Sequence, residues 1–191
     1  MFIKTLTRKG VKTVSKTNEI LFAGFGGQGI LFSGKVAAYS GLVAEKFVSW
    51  LPSYGPEMRG GTANCHVIVS DMPVGSPIIV NPTDLVVMNK PSFDKFENDV
   101  VSGGNIFIDS ALIDRECTRD DVNVFKVPAT KMANDMGMTK LANMIMFGKL
   151  LKETGFVDFE TVKQGLAKSV PPTKQQLFDT NLKAIEAGYN L

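Results

Sequence analysis

Apolar residues fall in short continuous runs through the first two thirds of the chain and at helical spacing in the last third. Residues 19–23 form such a run, closed by glycines, and residues 30–39 follow with the spacing of a buried helix, so the two predict a strand–loop–helix unit. Further runs predict strands over 43–50, 62–69, 84–89, 105–109 and 122–127, with Pro91 placed to open a helix at its first turn. The stretches 62–69 and 78–80 are expected as antiparallel additions. Continuous Val, Ile and Leu runs suit strands covered on both faces, which points to a mainly parallel sheet. From Thr139 onward, Leu141, Ile145, Gly148 and Leu151 are helically spaced, and 159–169 and 174–187 continue the pattern. The predicted fold is α/β and Rossmann-like: a mainly parallel sheet flanked by helices, with a helical C-terminal third. Residues 1–18 are expected as a basic, poorly ordered tail and 19–191 as one domain.

Charge changes this picture little. The net charge is +2, but Lys4, Arg8, Lys9, Lys12 and Lys16 all precede the first acid, Glu19. With those five set aside, the 21 basic residues fall to 16 against 19 acids, so the body of the chain carries no nucleic-acid footprint. No uninterrupted apolar span approaches membrane-crossing length and no signal-type apolar core follows the basic start, so a cytoplasmic protein without membrane insertion is expected. Two cysteines, Cys65 and Cys117, fall short of the four thiolates of an iron–sulfur cluster or an all-cysteine zinc site. The single histidine, His66, adjoins Cys65 in a strand-like stretch where neighbours point to opposite faces, so a buried Cys beside a surface or capped His is expected there, with no metal site.

Two glycine-rich motifs carry the candidate chemistry. Gly24, Gly26 and Gly29, with Gly27 and Gln28 between them, match G-x-G-x-x-G after a strand and before a helix. Glycine permits positive φ and close backbone approach, and the free N–H groups of a helix start favour an anion. A tight turn without a ligand is the equal alternative. Dinucleotide binding requires an acid at the end of the second strand, yet Ser49 and Trp50 stand there and Glu45 comes too early. A P-loop is disfavoured as well, since Val36 follows Lys35 where Ser or Thr would hold magnesium.

The second motif is Tyr54-Gly55-Pro56-Glu57-Met58-Arg59-Gly60-Gly61. Arg59 beside Gly60 and Gly61 can offer a bidentate fork to phosphate or carboxylate, and Tyr54 can pack on a ring. An internal Glu57–Arg59 pair that shapes the loop is the alternative. Asn143, inside an apolar helix, is expected as a buried polar contact to a loop. Met132, Met136, Met138, Met144 and Met146 are read as core and interface filler, with Met144 and Met146 on different faces of one helix.

These two motifs, together with Ala142-Asn143-Met144 and Asn181-Leu182-Lys183-Ala184 near Gly188-Tyr189, resemble the gamma subunit of the 2-oxoacid:ferredoxin (acceptor) oxidoreductases from about residue 19 to the end. Among these, the 2-oxoglutarate enzyme is the expected member, with pyruvate and branched-chain enzymes next. The resemblance implies a multimeric enzyme that oxidatively decarboxylates a 2-oxoacid with thiamine diphosphate and coenzyme A and passes electrons through iron–sulfur clusters to ferredoxin or a related acceptor. It places the clusters and thiamine diphosphate in alpha, beta and, where present, delta subunits; this chain has too few cysteines and no Gly-Asp-Gly of the thiamine motif. The implied role of the chain is assembly and coenzyme A contact, without a catalytic residue or metal of its own. Cofactor contacts are expected from Gly24, Gly26, Gly27, Gln28, Gly29, Tyr54, Glu57, Arg59, Gly60 and Gly61. A stand-alone nucleotide-binding module and a purely structural interaction protein remain as alternatives.

Overall fold

In the computed structural model, residues 16–54 and 61–191 are described, and they form one six-stranded sheet with six helices. The strands are β1 (Thr17–Phe25), β2 (Phe47–Tyr54), β3 (Thr62–Ser70), β4 (Asp84–Val87), β5 (Asn105–Asp109) and β6 (Asn123–Val127). The helices are α1 (Ile30–Val43), α2 (Lys90–Phe96), α3 (Ala129–Asp135), α4 (Ala142–Thr154), α5 (Phe159–Ser169) and α6 (Gln175–Tyr189). Strand order is β2-β3-β1-β4-β5-β6. The β1–β4, β4–β5 and β5–β6 pairs are parallel, whereas β3 lies antiparallel to both β1 and β2. The α/β reading and the antiparallel placing of 62–69 therefore hold.

Alternation along the central strands divides the interior into two layers. Ile20, Phe22, Val86 and Phe107 face a large core built with α1, α3, α4, α5 and α6, while Leu21, Ala23, Leu85, Val87 and Ile106 face a smaller one closed by Phe93 of α2, Val100 and Ile113. Helices thus flank the sheet unequally. On the second face a loop takes the place of further helices, held by an ion network. Glu97 accepts from Arg115 Nη2 at 2.8 Å and from the Thr118 N–H at 2.6 Å, and the Arg115 guanidinium lies 3.8 Å from the centre of the Phe93 ring.

Small residues set the helix distances in the larger core. A Cβ on Gly34 of α1 would stand 2.0 Å from Cys65 Sγ of β3, and a Cβ on Gly165 of α5 would stand 2.3 Å from Ser40 Oγ of α1. In the α4–α6 crossing, Cβ atoms on Gly148 and Gly188 would stand 2.1 Å from Ile185 O and 1.9 Å from Ile145 O, so these backbones touch directly.

Several sequence expectations change. Residues 43–46 are not strand: Val43 ends α1, Glu45 turns at φ 57°, and β2 starts at Phe47. Residues 78–80 form no strand; the Ile79 N–H donates to His66 Nδ1 at 3.0 Å, and Ile78 and Val80 are exposed. The first strand starts before residue 19, because Thr17 and Asn18 already pair with Ser70 and Val69, and Asn18 Nδ2 donates to Asp84 at 3.1 Å. The expected tail over 1–15 lies outside the described residues. Met144 and Met146 are both fully buried, since α4 is enclosed by its neighbours on more than one side. The unanticipated α3 is capped from the end of β5, where Asp109 accepts from the Thr130 N–H and hydroxyl at 3.3 and 2.5 Å.

Candidate functional site

β1 ends in the middle of the sheet, and from there the chain leaves onto the face of the larger core as α1. After β4, its parallel neighbour, the chain leaves onto the opposite face as α2. Such divergence opens a crevice at the carboxyl ends of the strands, the usual ligand position in open α/β sheets. Here the Gln28 carboxamide spans that crevice. Its Oε1 accepts from the Phe25 N–H at 2.6 Å and its Nε2 donates to Met88 O at 2.8 Å, tying the end of β1 to the end of β4. Gly24 lies beneath it with no room for a side chain, since a Cβ would stand 2.7 Å from both Gln28 Oε1 and Ile30 Cδ1.

With Gln28 thus engaged, the open side of the loop lies toward α1 and β3. A cavity of about 340 Å³ is lined there by Phe25, Gly26, Gly27, Gly29, Ile30, Leu31, Phe32 and Ala63. Gly27 turns at φ 97° with open space around its Cα, and Gly29 caps α1 at φ 79° without a side-chain hydrogen bond. The N–H groups of Ile30, Leu31 and Phe32 begin the helix without intrahelical acceptors, and no acid stands in the first turn to compete for them. These donors have no acceptor among the described residues, and such donors beside an apolar wall suit a ligand that joins an anionic group to apolar or aromatic surface.

Gly61, the last residue of the second motif, lies at the same place. β2 and β3 form an antiparallel hairpin in which Tyr54 pairs with Ala63, and the Gly26 N–H donates to Gly61 O at 3.0 Å. Hence the glycine loop and the residue that leads into β3, separate in sequence, are joined by a backbone hydrogen bond. The expectations for the Tyr54 side chain, Glu57, Arg59 and Gly60 lie outside the described residues.

Asn143 takes the role expected from its solitary place in an apolar helix. It is 3% exposed, and its Nδ2 donates to Gly29 O at 3.0 Å and to Ser33 Oγ at 3.1 Å. The sequence did not reveal Gln28's latch or the carbonyl of Met88, because both depend on β4 lying beside β1.

Two further groups weighed in the sequence have defined surroundings. The neighbour of β1 on the α1 side of the glycine loop is the antiparallel β3, so β2 is displaced to the edge and no parallel second strand carries a ribose acid toward the loop. Cys65 is buried against Trp50, burial pushing its thiol up to about 12 despite the Trp50 hydrogen bond, and His66 points to the other face. Among the described residues no three His, Cys, Asp or Glu side chains gather as a metal set, and no described helix is long and apolar enough to cross a membrane.

Comparison with known proteins gives a consistent result. Residues 19–191 match the family described as pyruvate ferredoxin/flavodoxin oxidoreductase. A 2-oxoglutarate synthase subunit of Methanocaldococcus jannaschii is 32% identical over 183 residues, covering 94% of this chain and 96% of the relative. A ketoisovalerate oxidoreductase subunit of Methanothermobacter thermautotrophicus is 39% identical over 172 residues, covering 89% of this chain, but the match spans only 35% of that longer relative. The crystal structure of a keto/oxoacid ferredoxin oxidoreductase gamma subunit from Geobacter sulfurreducens superposes with a TM-score of 0.76 at 28% identity, covering 91% of this chain and 96% of that one.

Proposed function

Because this chain belongs to the pyruvate ferredoxin/flavodoxin oxidoreductase family, we propose that it serves as the gamma-type subunit of a cytoplasmic 2-oxoacid:acceptor oxidoreductase. In that assembly, alpha and beta subunits, and a delta subunit where present, hold thiamine diphosphate and the iron–sulfur clusters and pass electrons to ferredoxin or a related acceptor. The chain completes the assembly and contacts coenzyme A through the glycine loop and the hairpin tip. The observation that carries this reading is the Gly26–Gly61 hydrogen bond, which unites the two motifs beside the uncapped start of α1. Coenzyme A suits such a place chemically, since its phosphates need N–H and guanidinium donors while its pantetheine arm and adenine tolerate apolar walls.

2-Oxoglutarate is the proposed oxoacid, supported by relatives of that name that match over almost their whole length. Ketoisovalerate is the second reading, supported by the higher identity of a longer relative. Reconstitution with the partner subunits separates the proposals. Oxoacid-dependent acceptor reduction requires this chain, proceeds faster with 2-oxoglutarate than with pyruvate or ketoisovalerate, and loses coenzyme A affinity by at least about tenfold on Arg59→Ala, the scale of one charge-assisted anion contact. Unchanged affinity and turnover in that variant would end the coenzyme A assignment. Recovery from the native source without a thiamine-dependent partner would end the subunit reading and favour a stand-alone module.

A further inference from the structure

We propose that Asn143 is a positioning residue that aims the first amide of α1 at a bound anion, acting through the peptide unit between Gly29 and Ile30; this rests on the reading of the glycine loop as the coenzyme A contact.

Gly29 is the N-cap of α1. Its φ of 79° and the close approach of Asn143, whose Nδ2 would stand 2.5 Å from a Cβ there, both call for glycine. Glycine at a helix N-cap has no side chain to fix its own orientation, and its backbone turns more freely than that of any other residue. Something else has to hold this peptide plane. Gly29 O is gripped from three directions, by the Ser33 N–H at 3.0 Å, the Ser33 hydroxyl at 3.3 Å and Asn143 Nδ2 at 3.0 Å. In a trans peptide the carbonyl and the following N–H point in opposite directions. Holding Gly29 O toward the helix therefore aims the Ile30 N–H outward, and Ile30 lines the cavity beside the loop.

Asn143 is oriented for this task at a cost to itself. Both its amide contacts go to Gly29 and Ser33, while its own Oδ1 is buried without a partner among the described residues. Its neighbours Ala142, Met144, Ile145 and Met146 are apolar and buried, so space-filling alone would be met by another apolar residue.

The test uses the assembled enzyme with Asn143→Leu and the milder Ser33→Ala, measuring KM for coenzyme A, kcat, the thermal midpoint of the complex, and competition by inorganic pyrophosphate as a probe of the anion position. Asn143→Leu is expected to raise KM about tenfold and Ser33→Ala about threefold, equivalent to roughly one and one half of a charge-assisted hydrogen bond, with pyrophosphate inhibition weakened in parallel and kcat nearly retained. Loss of kcat or thermal midpoint without a rise in KM would mark a merely structural role and overturn the proposal. Should Asn143→Leu fail to assemble, an unchanged KM in Ser33→Ala overturns it alone. If Arg59→Ala raises KM while both of these variants leave it unchanged, the positioning role falls and the coenzyme A reading stands. If none of the three moves KM, or pyrophosphate does not compete in the parent enzyme, the coenzyme A reading falls with it.

Discussion

Gly27 and Gly29 sit two residues apart in one loop, both at positive φ, yet they differ in what surrounds them. Open space lies around Gly27, whereas Gly29 faces the Asn143 carboxamide. Gly27→Ala is therefore expected to cost only backbone strain, about 1–2 kcal/mol. Gly29→Ala adds displacement of Asn143 and should cost about 1–3 kcal/mol more. Denaturant unfolding of the two variants checks this ranking, and equal losses would show that the Asn143 contact does not constrain the loop. At this scale the sequence was informative in type and blind to partners. The G-x-G-x-x-G spacing marked which residues need freedom, and a lone Asn in an apolar helix marked a buried polar contact. Gln28 offered no such signal, because a glutamine in a loop acquires its meaning only when the Phe25 N–H and Met88 O stand on either side of it.

Elements that carry their own periodicity were legible, and those held by distant groups were not. The period of α5 was visible in the chain itself, and the helix opens on an Asp158 N-cap that accepts from the Thr161 N–H at 2.7 Å. The loop after β5 lacks any such internal signal, because it is held to α2 by the ions around Glu97. Burial alone would raise the Glu97 carboxyl, but the Arg115 guanidinium, the Thr118 N–H and the Cys117 thiol outweigh it and hold it at about 2, below the ordinary 4.5. A folded value below the unfolded one means that this stabilisation is complete above pH 4.5 and fades as pH falls toward 2. Glu97→Gln should thus destabilise the protein by about 2 kcal/mol near neutrality. The gap to the parent should close on acidification through that window. Stability curves of both proteins at a series of pH values decide it; a gap independent of pH would mean that the ionised carboxylate is not what holds the loop.

For the molecule as a whole, the sheet ends in an edge strand, β2, with Phe47 and Trp50 exposed on it and Leu42 of α1 nearby. A shallow cleft of about 270 Å³ lies between α1 and β2, lined by Lys35, Tyr39, Leu42 and Trp50 among others. A strand edge unpaired among the described residues, beside apolar surface, is a template for association, which the proposed subunit role requires. The isolated chain should self-associate with rising concentration in sedimentation experiments, and a Leu42→Lys, Phe47→Lys pair should reduce this without loss of the folded core. A parent chain that stays monomeric at every concentration would place the docking surface elsewhere. The sequence by itself determined the α/β class, the helical final third, the two glycine-rich motifs and the shortage of metal-binding thiolates, because apolar period, turn chemistry and residue counts are local properties. Only the tertiary structure decided that β3 runs antiparallel beside β1, that the two motifs meet at Gly26 and Gly61, and that Gln28 closes the crevice while Asn143 grips the loop. Strand order and hydrogen bonds between distant residues arise from which surfaces bury one another, and that choice is made by the whole chain at once.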